Sequence, residues 1–204
     1  MVHPIFEGLQ PNRRTILTFL NKISGRWRED EVFELRFLGE GKTPHNCRFS
    51  KPEIQQMVEF ICAMNTKQMN AYLVVNPVPA NAPRWAKDEH IQCAHYAFVD
   101  ADERGAAERS RNCQMFNIDM EIITGTKPFL RNHIYFGFRE SFSDMRQWTE
   151  LQKQLSRYLV TDAAIHNPSR IMRIAGTVSY PTERKIKRGY VPEVARLIIG
   201  GGYV

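Results

Sequence analysis

Ala94-His-Tyr-Ala-Phe-Val-Asp-Ala-Asp102 is the stretch from which the rest of the fold can be worked out. Its first part is mostly apolar and β-prone, and a polar segment follows at once, which predicts a buried strand ending at the aspartates. Because side chains alternate along a strand, Asp100 and Asp102 project from the same side. Two carboxylates this close repel each other unless a cation lies between them, and oxygen ligands suit Mg²⁺ or Mn²⁺. The pair therefore predicts half of a divalent metal site; the alternative is a strand that ends in a turn, where Asp is common.

Length and charge narrow the class of protein. The 204 residues suffice for one large domain or for two small lobes that share a sheet. The net charge of +6 is unevenly spread, with basic residues dense at Arg26, Arg28 and between residues 170 and 188. A basic excess of this kind indicates a polyanionic partner.

The four cysteines, at positions 47, 62, 93 and 113, include no Cys-x-x-Cys pair. We therefore expect neither a zinc site nor a disulfide framework. The N-terminus does not resemble a signal peptide, and no apolar run approaches the length needed to span a bilayer. A soluble, cytoplasmic protein without a membrane partner is expected.

Apolar periodicity predicts an α+β fold. The first part reads as a helix over 12–23, a strand over 32–38, a helix from the Ser50 capping box to about residue 65, and a strand over 71–75. This helix-strand-helix-strand layer is expected to pack beside the strand that carries the aspartates. Downstream the pattern predicts these elements: a helix over 103–115, strands over 119–123 and 133–138, a helix from a Ser143 cap to about 158, a basic hairpin tip over 182–189, and a strand over 194–199. The glycine-rich end suggests a domain taken from a longer protein.

A long proline-rich loop lies between residues 76 and 92. Long loops in compact domains are often functional. Arg84 and Trp85 in this loop could contact nucleic acid. The alternative is a solvated loop with Trp85 packed on the core.

A second informative stretch is the loop over 124–131, which leads into the strand opened by His133. Gly125 lets the backbone approach a ligand, while Thr126, Lys127 and Arg131 offer the hydroxyl and cationic donors that hold phosphates. His133 could reach the same place, or could be an ordinary structural histidine.

The third informative stretch carries Asp162, followed by Arg170 and Arg173. An Asn167-Pro-Ser turn leads into the segment with the arginines. This arrangement can place one metal ligand and two phosphate donors in a single site.

Together these three stretches resemble the motifs of the archaeo-eukaryotic primase superfamily, and most of all primase-polymerases of plasmids, phages and other mobile elements. That family has an Asp-x-Asp or Asp-x-Glu motif, a small-x-His motif, and a lone acidic residue after a hydrophobic one. Asp100 and Asp102 match the first, His133 the second and Asp162 the third. Arg170 and Arg173 are similar to the arginines that follow the third motif. The likeness covers about residues 70–180, and it departs at Arg131, where the family has a small hydroxyl residue; Thr124 or Thr126 could take that role.

The resemblance implies a two-lobed primase-polymerase core, with residues 1–94 mainly in an N-terminal αβαβ lobe and residues 95–204 mainly in an RRM-like catalytic lobe. It implies template-dependent nucleotidyl transfer in the replication of a mobile element, with two Mg²⁺ or Mn²⁺ ions held by Asp100, Asp102 and Asp162. The resemblance also suggests that a replicative helicase, as a domain or a separate protein, is a partner.

The resemblance further implies which residues bind each of the two substrates. The nucleoside triphosphate is expected at His133, Arg131, Lys127, Thr126, Arg170 and Arg173, and single-stranded DNA at Arg84, Trp85, Lys185, Lys187 and Arg188.

Two other classes stay open. A non-catalytic module that binds a replication origin or single-stranded DNA would need no metal. Another Asp-x-Asp metal enzyme, such as a nuclease or a glycosyltransferase, would need the aspartates but not the arginines. Arg170 and Arg173, placed after Asp162, favour triphosphate chemistry over both.

Overall fold

The computed structural model describes residues 8–112, 117–200 and 202–203, and the mixed helix and strand architecture predicted from the sequence is confirmed. The helices are α1 (Arg13–Ser24), α2 (Ile54–Thr66), α3 (Ala106–Arg111), α4 (Met145–Leu159) and α5 (Glu183–Ile186). The strands are β1 (Glu31–Leu38), β2 (His45–Phe49), β3 (Asn70–Val74), β4 (Val78–Pro79), β5 (Ala94–Ala101), β6 (Met120–Gly125), β7 (Arg131–Phe142), β8 (Ile171–Arg173), β9 (Val178–Ser179), β10 (Glu193–Val194), β11 (Arg196–Ile199) and β12 (Gly202–Tyr203).

The first sheet has the order β2-β1-β3-β8, and β4 also pairs with β1. Its pairs are all antiparallel. Strand β8 comes from the C-terminal part of the chain, so this sheet is not built from the first hundred residues alone. Helices α1 and α2 bury their apolar faces in the core, with residues such as Ile16, Leu20 and Ile61 fully buried.

Local signals explain where these two helices begin. The Asn12 side chain accepts a hydrogen bond from the backbone N–H of Thr15 at 3.0 Å, which caps α1. Before α2, the Glu53 carboxylate accepts from the Ser50 backbone N–H at 2.8 Å. The capping box predicted at Ser50 is therefore present.

The second sheet is antiparallel, with the order β12-β11-β6-β7-β5, so β5 lies at its edge. Helix α4 covers this edge and satisfies its backbone groups. The Gln152 amide accepts from the Phe98 N–H at 3.0 Å and donates to the Phe98 carbonyl at 2.9 Å. The Trp148 indole donates to the Tyr96 carbonyl at 3.0 Å. The edge strand that carries the aspartates is thus held by helix side chains instead of a further strand.

One hydrophobic core joins the two sheets. Tyr135 on β7 lies at its centre, with its ring 6.4 Å from that of Phe19 on α1 and 6.0 Å from that of Phe98 on β5. The Phe98 ring is in turn 5.6 Å from Trp148. Because the core is shared, the two sheets are held in a fixed relation to each other.

Several local predictions differ from the structure. Strands β2 and β4 were not predicted, since His45-Asn-Cys-Arg-Phe49 lacks clear alternation and β4 has only two residues. The predicted helix over 103–115 is confirmed only for α3, and residues 113–115 lie outside the described residues. Helix α4 is capped by Asp144 and not by Ser143, because the Asp144 carboxylate accepts from the N–H groups of Arg146 and Gln147.

The predicted basic hairpin tip over 182–189 is wrong. These residues form the short helix α5 instead, since the Thr182 hydroxyl oxygen accepts from the Lys185 N–H at 3.4 Å. Within the described residues, no helix is both long and apolar enough to cross a membrane.

Candidate active site

The ends of β5 and β7 place Asp100 and His133 directly opposite each other. The Nε2 atom of His133 lies 3.7 Å from Oδ1 of Asp100. The His133 side chain is only 8% exposed and that of Asp100 is 25% exposed, so the pair lies at the floor of a depression. The register of two antiparallel strands therefore sets this contact.

Asp162 reaches the same place from the end of α4. Val160 stops this helix in the left-handed conformation, with φ 52° and ψ 56°, which is unusual for a β-branched residue. After this turn the backbone N–H of Asp162 donates to the carbonyl oxygen of Asp100 at 3.2 Å. The third predicted acidic residue thus lies beside the first.

A cleft of about 200 Å³ opens above these residues, between the two sheets. Asn70 and Tyr72 on β3 line one side, and Thr124 on β6 lines the other. The acidic, basic and histidine side chains that line it are those of Asp100, Asp102, Arg131, His133, Arg173 and Lys185. The cleft therefore combines a carboxylate group with a rim of cations, the arrangement that a metal-bound triphosphate requires.

The carboxylates perturb one another. Burial raises the pKa of Asp100 to about 7, and the negative charges of Asp102 and Asp162 act in the same direction. Arg170 and Lys185 lower it, but less strongly. A carboxylate with this surplus of negative charge around it is a natural cation ligand.

His133 is neutral at physiological pH. Burial lowers its pKa to about 3, and the nearby charges of Arg173 and Arg170 add to this effect. Its Nδ1 atom is buried and has no hydrogen-bond partner among the described residues. His133 can therefore offer a hydrogen bond to a ligand in the cleft, but not a positive charge.

Arg131 is held firmly by its surroundings. Its guanidinium stacks on the Tyr190 ring at 4.3 Å and lies 3.5 Å from the Asp102 carboxylate. Gly125 makes room for this guanidinium, since a Cβ at that position would collide with it. The guanidinium of Arg131 thus explains why position 125 has no side chain. The expected close approach of the Gly125 backbone to a ligand is not needed to explain this glycine.

Arg173 faces the cleft without a carboxylate partner among the described residues. Its guanidinium donates to the Asn70 side-chain oxygen at 2.8 Å and stacks over the Tyr72 ring at 5.0 Å. Tyr72 and Arg173 are direct cross-strand neighbours on β3 and β8. Arg173 is thus held by neutral groups, and among the described residues it forms no ion pair with a core carboxylate.

Arg170 lies near Asp100, whose pKa its charge lowers. One terminal nitrogen of Arg170 donates to the Ala164 carbonyl at 3.1 Å, while its Nε atom is buried without a partner among the described residues. Arg170 therefore adds positive charge near Asp100 without lining the cleft.

The predicted residues do not all line the cleft. Asp162 and Arg170 lie near Asp100 but are not among the lining residues. Thr126 and Lys127 are exposed and absent from its lining, and their backbone N–H groups donate to the carboxylate of Glu193 at 2.8 and 3.2 Å. Lys185, by contrast, was assigned to DNA but points into the cleft, where its Nζ atom is 3.8 Å from Oδ2 of Asp102.

The other residues assigned to DNA lie outside the cleft lining and are exposed to solvent. They are Arg84, Trp85, Lys187 and Arg188. Trp85 is 43% exposed, and its backbone has a positive φ of 61°. It stacks against Arg36, whose guanidinium lies 5.6 Å from its ring, so it is not packed into the core.

Sequence reasoning missed four residues of the site. Asn70 and Tyr72 hold Arg173, while Tyr190 and Glu193 hold Arg131 and the loop before it. No sequence motif marks any of them. They become visible only when β3, β8 and the segment after α5 meet beside the motif residues.

The donor set suits Mg²⁺ or Mn²⁺, since it consists of carboxylate oxygens with excess negative charge. The oxygens of Asp100, Asp102 and Asp162 do not form a group of three that all lie within 4.8 Å of one another.

Comparison with solved structures identifies the fold. The AEP domain of the primase-polymerase of cyanophage S-2L superposes with a TM-score of 0.67 at 22% identity, covering 96% of this chain and 95% of that one. The chain has the primase-polymerase fold. Primase RepB′ has TM-scores of 0.58 and 0.57 in two structures, at 13% and 15% identity, which cover 92% and 94% of this chain and 57% and 87% of those chains. One of these, the catalytic domain, is in complex with initiator DNA.

The resemblance to primase-polymerases that the motifs indicated is thereby confirmed for the fold. The predicted α+β class of the primase-polymerase core is confirmed with it. No protein-family profile and no curated protein sequence matches this chain. Because all three structures are below 25% identity, what the primase-polymerase fold does in this chain must be argued from the cleft.

Proposed function

We propose that the chain is a primase-polymerase that catalyses template-dependent nucleotidyl transfer in the replication of a mobile element. The observation that carries this proposal is the cleft itself, in which Asp100 and Asp102 meet Arg173 and Lys185 on a primase-polymerase fold, with Asp162 and Arg170 close to Asp100. The overall fold alone does not support it, since the same architecture hosts different activities.

Asp100, Asp102 and Asp162 would hold the Mg²⁺ or Mn²⁺ ions, as the raised pKa of Asp100 supports. Such ions lower the pKa of the attacking 3′-hydroxyl and neutralise charge on the pyrophosphate that leaves. Asp102 already faces two cations, Arg131 at 3.5 Å and Lys185 at 3.8 Å. We therefore assign Lys185 to the nucleotide side of the site instead of to DNA.

The cations of the cleft would bind and orient the triphosphate. Arg173 offers a guanidinium that no carboxylate among the described residues neutralises, and Arg170 adds positive charge near Asp100. His133 adds a hydrogen bond from a neutral ring. These groups stabilise the negative charge that develops on the phosphates during transfer.

Single-stranded template would run along the exposed basic and aromatic residues outside the cleft. Arg84, Trp85, Lys187 and Arg188 are accessible and suit backbone contact and base stacking. Residues 1–94 would then form mainly the N-terminal αβ lobe and residues 95–204 mainly the RRM-like catalytic lobe, with β8 crossing into the first sheet. The helicase partner stays a prediction.

Nucleotide incorporation on primed and unprimed single-stranded templates tests the proposal. We expect labelled products with Mg²⁺ or Mn²⁺ and none with a chelator, and the same reaction with Asp100→Asn should give none. Asp30→Asn, at an exposed aspartate far from the cleft, is the matched control. DNA binding without metal-dependent incorporation would instead identify a non-catalytic module, and degradation of the template a nuclease.

A further inference from the structure

A second group of metal-ligand side chains lies at the opposite end of β5 from the aspartates. Glu31, Cys93 and His95 each have a ligand atom within 4.8 Å of the other two, and they are the group of three with this spacing in the described part of the chain. Glu31 begins β1 in the first sheet, whereas Cys93 directly precedes β5 of the second sheet and His95 lies in that strand. The group therefore bridges the two sheets.

All three side chains are buried, with exposed fractions of 1% for Glu31, 9% for Cys93 and 7% for His95. Buried polar groups of this kind are normally satisfied by partners. Yet the Nε2 atom of His95 is buried and has no hydrogen-bond partner among the described residues. This imidazole nitrogen lies beside a thiol and a carboxylate, so it is available to coordinate a metal ion.

The Glu31 carboxylate is already oriented for such a role. Its Oε2 atom accepts a hydrogen bond from the Arg28 backbone N–H at 2.6 Å, while its Oε1 atom accepts from the Cys93 thiol at 3.2 Å. A ligand carboxylate held by an outer hydrogen bond in this way is common at metal sites. The Arg28 side chain also lies 3.3 Å from Oε1, but it is 60% exposed and can move into solvent.

We propose that Glu31, Cys93 and His95 form a zinc site that joins the two sheets. Thiolate, imidazole and carboxylate are the ligands that Zn²⁺ prefers, and three protein ligands leave a fourth tetrahedral position for water. Binding displaces the Cys93 thiol proton to solvent, since the thiolate is the ligand. Arg26, Lys51 and Arg28 place positive charge around His95, so the site needs both anionic ligands to hold a dication.

This site is separate from the candidate active site. His95 and Asp100 are five positions apart on one extended strand, which corresponds to about 17 Å. The proposed zinc site therefore does not depend on the proposed nucleotidyl transfer. It also departs from our expectation of no zinc, which rested on cysteine spacing and could not include Glu31 from another strand.

Cobalt substitution tests the site in the intact chain. Protein stripped with a chelator and desalted is titrated with Co²⁺, followed by absorption spectroscopy, and then with Zn²⁺. We expect a near-ultraviolet thiolate-to-cobalt band, tetrahedral visible bands, and displacement by one equivalent of Zn²⁺. A wild-type spectrum without the thiolate band would overturn the proposal, whatever the variants do.

Variants assign the ligands. Zinc affinity, measured against a chromophoric chelator, should fall at least about 100-fold in Cys93→Ser, His95→Ala and Glu31→Gln, more than the loss typical of outer contacts. Cys47→Ala, which removes another thiol, and Asp100→Asn should bind zinc like the wild type. Zn²⁺ should also raise the melting temperature of the wild type and of Cys47→Ala, in which the three ligands are intact. It should not raise the melting temperature of the three ligand variants. Unchanged affinity in Cys93→Ser and His95→Ala, or zinc binding lost in Asp100→Asn, would show that the metal is bound elsewhere.

Discussion

The backbone N–H of Asp162 donates a hydrogen bond to the carbonyl oxygen of Asp100 at 3.2 Å, although residues 101–161 separate them in the chain. The contact is made by the main chain, and the Asp162 carboxylate separately accepts a hydrogen bond from the backbone N–H of Ala164 at 2.9 Å. Asp162→Asn keeps an Oδ1 acceptor for this N–H, so it should remove charge from the site without moving the loop.

Replacing the acidic residues should abolish catalysis and preserve the fold. We expect Asp100→Asn, Asp102→Asn and Asp162→Asn each to lower nucleotide incorporation by more than about 100-fold, since even outer contacts of metal sites act on the scale of 10–100-fold. Asp100→Asn should also unfold at higher urea concentration above pH 7, because the raised pKa means that its ionised form is unfavourable in the native state. Incorporation within a few-fold of wild type in these variants would refute the metal site.

Nucleotide binding and DNA binding should separate in different variants. Arg173→Ala should weaken nucleoside triphosphate binding by at least about 10-fold, the scale of a charge-assisted hydrogen bond, and leave single-stranded DNA binding nearly unchanged. A Lys187→Ala, Arg188→Ala double variant should do the reverse and reduce the salt slope of DNA binding by about 1.4.

Fluorescence anisotropy at several salt concentrations, beside nucleotide titrations on the same proteins, measures both effects. Lys185→Ala decides between the sequence assignment and the structural one, because it should behave like Arg173→Ala. Equal losses of both ligands in every variant would mean that the cleft is not a separate triphosphate pocket.

Stability should respond to pH through two opposing groups. The folded pKa of His133, about 3, is below its ordinary value of 6.5, so its contribution is present above pH 6.5 and is lost as the pH falls. The folded pKa of Asp100, about 7, is above its ordinary value of 3.8, so stability rises as the pH falls from 7 toward 3.8. Between pH 6.5 and 4 the two groups change the free energy of unfolding in opposite directions, so their effects offset each other in the wild type.

Single substitutions should expose each slope. In Asp100→Asn the free energy of unfolding should fall by about 1.4 kcal/mol per pH unit below pH 6.5, compared with wild type. In His133→Gln it should rise by a similar amount over the same interval. Urea unfolding between pH 4 and 7 with a chelator present measures this; parallel profiles for wild type and both variants would contradict the assigned pKa directions.

Gln152 should contribute more to stability than its neighbours on α4. Its fully buried amide satisfies both backbone groups of Phe98, so Gln152→Leu leaves an N–H and a carbonyl unpaired. Each such group costs about 1–3 kcal/mol. Gln154→Leu, at an exposed position of the same helix, is the control and should change the free energy of unfolding by less than about 0.5 kcal/mol. Equal unfolding midpoints in urea for the two variants would contradict this account of the edge strand.

Local sequence patterns were sufficient for the main elements. The strand that ends at Asp100, the capping box at Ser50 and the apolar face of α1 were all predicted, since periodicity and capping depend on residues close together in the chain. The same patterns could not predict β2, β4 or the helical α5, where few residues carry the signal and distant contacts stabilise them.

The sequence by itself marked the residues to which we assign the chemistry, because Asp100, Asp102, His133 and Asp162 stand out by their types and by the strands and loops that bear them. Tertiary structure alone decided which cations face them. It places Lys185 beside Asp102, whereas the backbone N–H groups of Thr126 and Lys127 donate to the Glu193 carboxylate. It alone also brought Glu31 to Cys93 and His95. The physical reason is that motifs are read within one segment, whereas a charge or a ligand set depends on which separate segments the shared core brings together.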